Sequence, residues 1–233
     1  MRVAAIVPAA GRGERLGPGA PKALRLLGGV PMLVHSVRAL ARARLVDVVV
    51  VAAPPGDEAE VRGVLDTYQA PTEVRVVTGG ETRQDSVRLA LESLDPDVDV
   101  VLVHDAARPL APSQLVDDVV QAVARGAEAV IPALPVADTV KRVEDGRVVE
   151  TVRREGLYAV QTPQGFTREL LTKAHDAAVI DGFAGTDDAS LAERIGATVA
   201  VVPGHPEAAK VTRPHDLATA EHVLQERLAR REH

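Results

Sequence analysis

Two hydrophobic rhythms alternate along the chain. Val3–Val7 is a short unbroken apolar run, and Asp47–Ala53 (DVVVVAA) has no polar position after its first. Runs that are apolar on both faces mark strands covered on both sides. Between these two, Leu33, Val37 and Leu40 recur at helical spacing behind Pro31, the stripe of an amphipathic helix. A charged helix near Asp57–Tyr68, a strand at Val74–Thr78, a helix over Thr82–Leu94 and a strand at Asp99–His104 follow. The helix from Pro112 places Leu115, Val116, Val119, Val120 and Val123 on one face, and Glu128–Ala133 reads as a fifth strand. This alternation predicts an α/β fold with a doubly wound, mostly parallel sheet. Such sheets bind ligands beyond the carboxyl ends of their strands, where the loops after Val7 and after His104 lie.

The rhythm breaks after the fifth strand. Thr139–Val152 alternates β-branched and charged residues around Glu144-Asp145-Gly146, a turn signal, and predicts a hairpin. It has too little apolar surface to lie on the parent sheet, so it reads as a β-arm projecting at about 137–156. Beyond it the pattern predicts a strand near Tyr158–Thr162, helices near Thr167–Ala178 and Asp187–Gly196, a strand at Thr198–Pro203 and a last helix from Pro214. No internal repeat or long linker divides the chain, and one domain over 1–233 is expected.

Composition narrows the chemistry. The 233 residues are 46% hydrophobic, with two Phe, two Tyr and no Trp, which is too few rings to stack along a nucleic acid strand. A net charge of −6 also argues against a polyanionic partner. The absence of cysteine removes disulfides, thiolate metal sites and thiol nucleophiles. No apolar run reaches the roughly 18 residues of a membrane span. Pro8 and the short charged start argue against a signal peptide in Met1–Ala10, and a cytoplasmic protein is expected.

The stretch VPAAGRGERLGPGAPKA (Val7–Ala23) is the first candidate site. It places four glycines and three prolines around Arg12, Arg15 and Lys22, directly after the first strand. A P-loop requires Ser or Thr after its lysine, and Lys22 precedes Ala23. A dinucleotide fingerprint needs a third glycine where Leu16 stands, and a carboxylate after the second strand where Ala52-Ala53-Pro54 stands. Two readings remain: a surface loop with incidental arginines, or a loop whose glycines let backbone approach a nucleoside triphosphate while Arg15 and Lys22 bring charge. Only four of the 27 basic residues are lysines, namely Lys22, Lys141, Lys173 and Lys210, so a lysine in this loop suggests a use for a compact point charge.

PAAGRGERL…PKA, GGETRQDSV, VHDAARP, QTPQGF and KVTRPHDL occur in this order from Pro8 to Leu217. Together they resemble the 2-C-methyl-D-erythritol 4-phosphate cytidylyltransferases of the non-mevalonate isoprenoid pathway. The resemblance implies a Rossmann-like nucleotidyltransferase that joins CTP to a sugar-alcohol phosphate and releases pyrophosphate, with Mg2+. It implies Arg15 and Lys22 as transition-state stabilisers, and Ala9, Ala10, Gly11, Gly13, Gly80, Glu81, Arg83 and Ser86 as nucleotide contacts. It places Asp105 near the metal and the acceptor. Arg108, Thr139, Arg154, Thr162, Thr186 and Lys210 complete the acceptor side. Ala23 and Glu81 depart from the commoner Gln and Asp. The same resemblance implies a homodimer in which the arm reaches the neighbouring site, and no second enzyme fused at the carboxyl end is expected.

The chemistry is consistent with those residues. A phosphate monoester with a second pKa of about 6 is already a nucleophilic dianion at neutral pH, so no general base is required. The demand is positioning and cationic stabilisation, which Arg and Lys supply. His104-Asp105 suggests a hydrolase dyad, but no G-x-S-x-G serine accompanies it, and His104 reads as structural on its apolar strand. Thr82 and the Thr186-Asp187-Asp188 triplet also read as caps for the helices that follow them. Two rivals remain at this level, a ribitol 5-phosphate cytidylyltransferase and a non-catalytic nucleotide-binding module.

Overall fold

The structure, a computed structural model, describes residues 1–10 and 22–230, without the Lys22 side chain. Gly11, Gly13 and Arg15 therefore lie outside the described residues. Strand β1 (Arg2–Pro8) turns Val3, Ala5 and Val7 to one face of the sheet and Ala4 and Ile6 to the other. All five are buried. Strand β4 (Val48–Ala53) does the same with its alternate residues, so a sequence without polar positions finds a layer on each side.

Those layers are helices. Helices α1 (Met32–Ala41), α2 (Glu58–Tyr68) and α4 (Ser113–Ala124) pack on the first face, with Leu33, Val37, Leu40, Val61, Val116, Val119 and Val123 in its core. Helices α3 (Arg83–Glu92), α5 (Arg168–Asp181) and α6 (Asp188–Arg194) cover the second, with Val87, Leu91, Leu170, Leu171, Ala189 and Ala192. Helix α7 (Pro214–Ala229) closes a smaller cluster with Leu27, Met32, Leu110 and Val211. Short strands β2 (Leu26–Leu27) and β3 (Val30–Pro31), invisible in the apolar pattern, pair before α1.

The main sheet has eight strands. β5 (Glu73–Thr78), β4, β1 and β6 (Val98–Val103) are parallel neighbours in that order. β11 (Gln164–Thr167) then runs antiparallel between β6 and β7 (Ala129–Pro135). β12 (Val199–Pro203) lies parallel along β7, and β10 (Tyr158–Val160) pairs antiparallel with the far end of β7. The strand expected near Tyr158–Thr162 is thus shorter, ending at Val160. The inner strand of this segment is β11, which carries little apolar signal of its own. The predicted hairpin is present as β8 (Val140–Glu144) and β9 (Arg147–Val152), a separate two-stranded ribbon.

The order reverses at β1. The chain moves from β1 to β4 and β5 on one side and then returns to β6 on the other. A crevice opens at such a switch point, beyond the strands' carboxyl ends. Pro8-Ala9-Ala10 and His104-Asp105 leave the sheet there.

Candidate active site

A cleft fills this crevice, and its walls come from five separate segments. Pro8, Ala9 and Ala10 leave β1, while Ala23 lies in the 3-10 turn Lys22–Leu24. Glu81, Thr82, Arg83 and Ser86 supply the start of α3, and Asp105 to Ala107 leave β6. Lys210 closes the cleft from the loop before α7.

The α3 wall is built by capping. The Thr82 side chain accepts from Asp85 N at 3.0 Å, the N-cap bond expected from sequence. Ser86 is buried one turn on, donating to Thr82 O at 2.8 Å and accepting from Gly80 N at 3.1 Å. Gly80 has no room for a side chain, because a Cβ there would come 2.3 Å from Asp85 Cβ. The turn before α3 is therefore drawn tightly against the helix, and the exposed Glu81 is carried on it at the cleft.

Asp105 is the electrostatic centre of the opposite wall. Its Oδ1 is 3.3 Å from Arg83 Nε, and its Oδ2 is 2.8 Å from Lys210 Nζ and 3.6 Å from Arg108 Nε. Burial alone would push this carboxyl up, but Arg83, Lys210 and Arg108 outweigh it and hold it well below the usual carboxylate range. Arg108 is not one of the residues facing the cleft. Its guanidinium is buried, with Nη1 donating to Ala208 O at 2.7 Å and Nη2 to Val160 O at 3.2 Å. It ties the Asp105 loop to β10 and to the loop that carries Lys210.

His104 is structural, as its strand position suggested. Asp105 N donates to Thr162 Oγ1 at 3.0 Å, and the Thr162 hydroxyl stands 3.2 Å from His104 Nδ1. Nε2 lies 3.2 Å from Arg108 O, a carbonyl that can only accept. One assignment satisfies every group: Nε2–H donates to the carbonyl, and the Thr162 hydroxyl donates to a bare Nδ1. Burial pushes the His104 pKa down to about 4, in keeping with a neutral ring. Thr162 is buried beneath the cleft and orients the Asp105 backbone.

The Lys210 loop is also fixed from behind. Asp216 Oδ2 accepts from Thr212 N at 2.8 Å, Thr212 Oγ1 at 2.6 Å and Arg213 N at 2.8 Å. The Thr212 hydroxyl is the main cause that lowers the Asp216 carboxyl to about 2. The Gln161 side chain clips the same loop upstream, bonding His205 O and His205 N at 3.0 and 2.9 Å.

The structure brings Ala9, Ala10, Glu81, Arg83, Ser86, Asp105 and Lys210 to one cleft, with Gly80, Arg108 and Thr162 directly behind it. It leaves Thr139, Arg154 and Thr186 exposed, none of them among the cleft residues. Arg154 Nη1 donates to Ala137 O across the base of the arm. Sequence reasoning missed Asp188, whose buried carboxylate stands 2.7 Å from Arg83 Nη1. It had read as a first-turn acid of α6, and only the fold brings it against α3. Among the described residues no group of three His, Asp or Glu side chains forms a metal site.

Phosphate chemistry run by positioning and charge calls for such a cleft, carrying fixed cations at a sheet's switch point, and the class is that of a nucleotidyltransferase. The family model of 2-C-methyl-D-erythritol 4-phosphate cytidylyltransferase matches residues 3–226, and the chain belongs to that family. The enzyme of that name from Streptomyces avermitilis is 58% identical, over 97% of this chain and 93% of the relative. The one from Acidobacterium capsulatum is 43% identical over 99% of this chain and 100% of the relative. The crystal structure of the Thermus thermophilus enzyme superposes with a TM-score of 0.81 at 37% identity, covering 97% of this chain and 100% of that one.

Proposed function

We propose that the chain transfers a cytidylyl group from CTP to 2-C-methyl-D-erythritol 4-phosphate through attack of the acceptor phosphate on the α-phosphorus, with pyrophosphate leaving in line. The observation that carries this reading is the cationic group of Arg83, Arg108 and Lys210 gathered on Asp105 at the switch point. Arg83 and Lys210 face the cleft, and Lys210 is the cation at its rim within reach of phosphate oxygens. Asp105, fully ionised, takes no part as a base. It holds the half-exposed Lys210 ammonium at the rim, where an acceptor phosphate can be positioned.

Arg15 and Lys22 supply charge to the α-phosphoryl group in this reading. Backbone at Ala9, Ala10, Gly11 and Gly13 approaches the triphosphate, and Gly80, Glu81, Arg83 and Ser86 frame the base and ribose. Arg108, Thr139, Arg154, Thr162 and Thr186 serve the acceptor side, Arg108 and Thr162 by bracing the Asp105 loop. Magnesium fits as an ion carried by the triphosphate. Hard oxygen donors suit it, and Asp105 and Glu81 are the cleft's carboxylates. Bound there, it would neutralise phosphate charge.

The reading extends to one nucleotidyltransferase domain with a β-arm at about 137–156, working in the cytoplasm as a homodimer. The exposed Val143, Val148 and Val149 of the arm support the dimer. No helix among the described residues is long and apolar enough to cross a membrane. The test is pyrophosphate release from CTP with methylerythritol phosphate and, separately, with ribitol 5-phosphate. Turnover confined to the first is expected. Preference for ribitol phosphate would reassign the acceptor, and release with neither would leave a binding module.

A further inference from the structure

Behind the cleft wall, the charged group continues into the protein. Arg83 spans two carboxylates, with Nε 3.3 Å from Asp105 Oδ1 and Nη1 2.7 Å from Asp188 Oδ2. Asp188 is 1% exposed, and its other oxygen lies 3.0 Å from Nε2 of the fully buried His175. A carboxylate only accepts, so His175 donates from Nε2, and its Nδ1 has no hydrogen-bond partner among the described residues. Burial pushes the Asp188 carboxyl up, yet Arg83 and His175 together bring it below its ordinary value.

Burying such a pair is costly and adds little stability over well-packed apolar residues. Capping does not explain it either. Asp187 caps α6 through Ser190 N at 2.9 Å, which leaves the Asp188 carboxylate free of that duty. The start of α6 is held from two further sides. Gln164 bonds Asp187 Oδ2 at 2.7 Å and Ala189 N at 3.1 Å, while Gln84 bonds Phe183 O and Gly185 N, both at 3.0 Å. Asp188 is thus a fixed anchor on one side of the Arg83 guanidinium.

We propose that Asp188, oriented by His175, is a positioning residue for cytidylyl transfer. By holding Arg83 Nη1 it fixes the guanidinium with Nε on Asp105 Oδ1, which keeps Oδ2 open to Lys210. Without Asp188 the Arg83 guanidinium is free to turn onto both oxygens of Asp105, and Lys210 loses its place at the rim. This inference rests on Asp105 and Lys210 serving the acceptor phosphate.

The test compares Asp188→Asn, Lys210→Ala and the double variant, with folding followed by circular dichroism. Asp188→Asn is expected to lower kcat by about tenfold to a hundredfold and to raise KM for methylerythritol phosphate more than KM for CTP. In the Lys210→Ala background it should cost less than about twofold, since the group it positions is gone. A structural role would give the same loss in both backgrounds, and that result overturns the proposal. So does full kcat in folded Asp188→Asn protein beside a crippled Lys210→Ala. Wild-type turnover in Lys210→Ala overturns the site reading and this proposal together. Should Asp188→Asn not fold, the histidine decides. His175→Leu should lower kcat, and His175→Gln, which keeps a donor, should restore it; equal activity in the two overturns the proposal.

Discussion

The main sheet and the arm use similar β-branched residues and meet opposite fates. All six residues of β4 are buried. In β8 and β9 only Val140 and Val152 escape full exposure. Valine content does not separate the two regions. The difference is a second layer: β4 has helices on both faces, and the ribbon has none among the described residues of its own chain. Cross-strand contacts hold the arm, among them Arg142 Nε to Glu150 Oε2 at 2.9 Å and Lys141 Nζ to Thr151 Oγ1 at 2.5 Å. An exposed ion pair such as Arg142–Glu150 contributes about 0–1 kcal/mol, and isolated two-stranded ribbons are marginal in water. The proposed second subunit would be the missing layer.

Core truncation should separate the regions most. Phe166 is fully buried in β11, so Phe166→Ala is expected to cost about 3–5 kcal/mol in urea unfolding. Val148→Ala on the exposed arm should stay within about 0.5 kcal/mol for a subunit while weakening self-association in sedimentation. Equal destabilisation by the two changes would erase the contrast.

Next come the proposed loop charges. Lys22→Ala and Arg15→Ala should each reduce turnover about 10²–10³-fold with the circular dichroism spectrum unchanged. A loss under tenfold in folded protein would remove either from the transition state.

The sheet should also respond to acid where the arm does not. The His104 pKa is pushed down to about 4, so below about 6.5 the unfolded chain binds a proton that the folded chain refuses. This contribution is complete above pH 6.5 and is lost as pH falls towards 4, by on the order of 3 kcal/mol. Unfolding midpoints at pH 7 and pH 4.5 should converge in His104→Asn relative to the native protein. Parallel shifts in the two would refute the assignment.

The smallest effect tests whether the arm completes a neighbouring site. Lys22→Ala and Arg154→Ala proteins, each nearly inactive, should on subunit exchange recover up to about half the native activity per mixed dimer. Exchange without recovery would place Arg154 in its own chain's chemistry.

The parts of the fold legible in the sequence were those with their own periodicity. The valine run of β4, the α4 stripe and the Glu144-Asp145-Gly146 turn each signalled their element locally. In that turn φ is 47° at Asp145 and 74° at Gly146, the left-handed pair that a tight hairpin demands. β11 gave no such signal. Gln164–Thr167 is short and contains Gly165, where a Cβ would meet Val119 Cγ1 at 2.6 Å, so contact with α4 chose the residue. The site divides along the same line. Asp105 could be singled out at its strand end and Lys210 only through the family resemblance, whereas the Arg83 to Asp188 link joins residues far apart in sequence, and nothing local to either predicts it.

The arm leaves the sheet after Pro135 and the chain re-enters at Tyr158, and those two residues are register partners in the β7–β10 pair. Departure and return are side by side, so the sheet closes whether the intervening residues are many or few. The arm is therefore a cassette: its length and surface can diverge, or be exchanged between relatives, while the catalytic frame keeps its geometry. If the arm selects the partner subunit, pairing preference would travel with the transplanted segment. A chimera carrying a relative's residues between these two points should then co-assemble with that relative rather than with its parent.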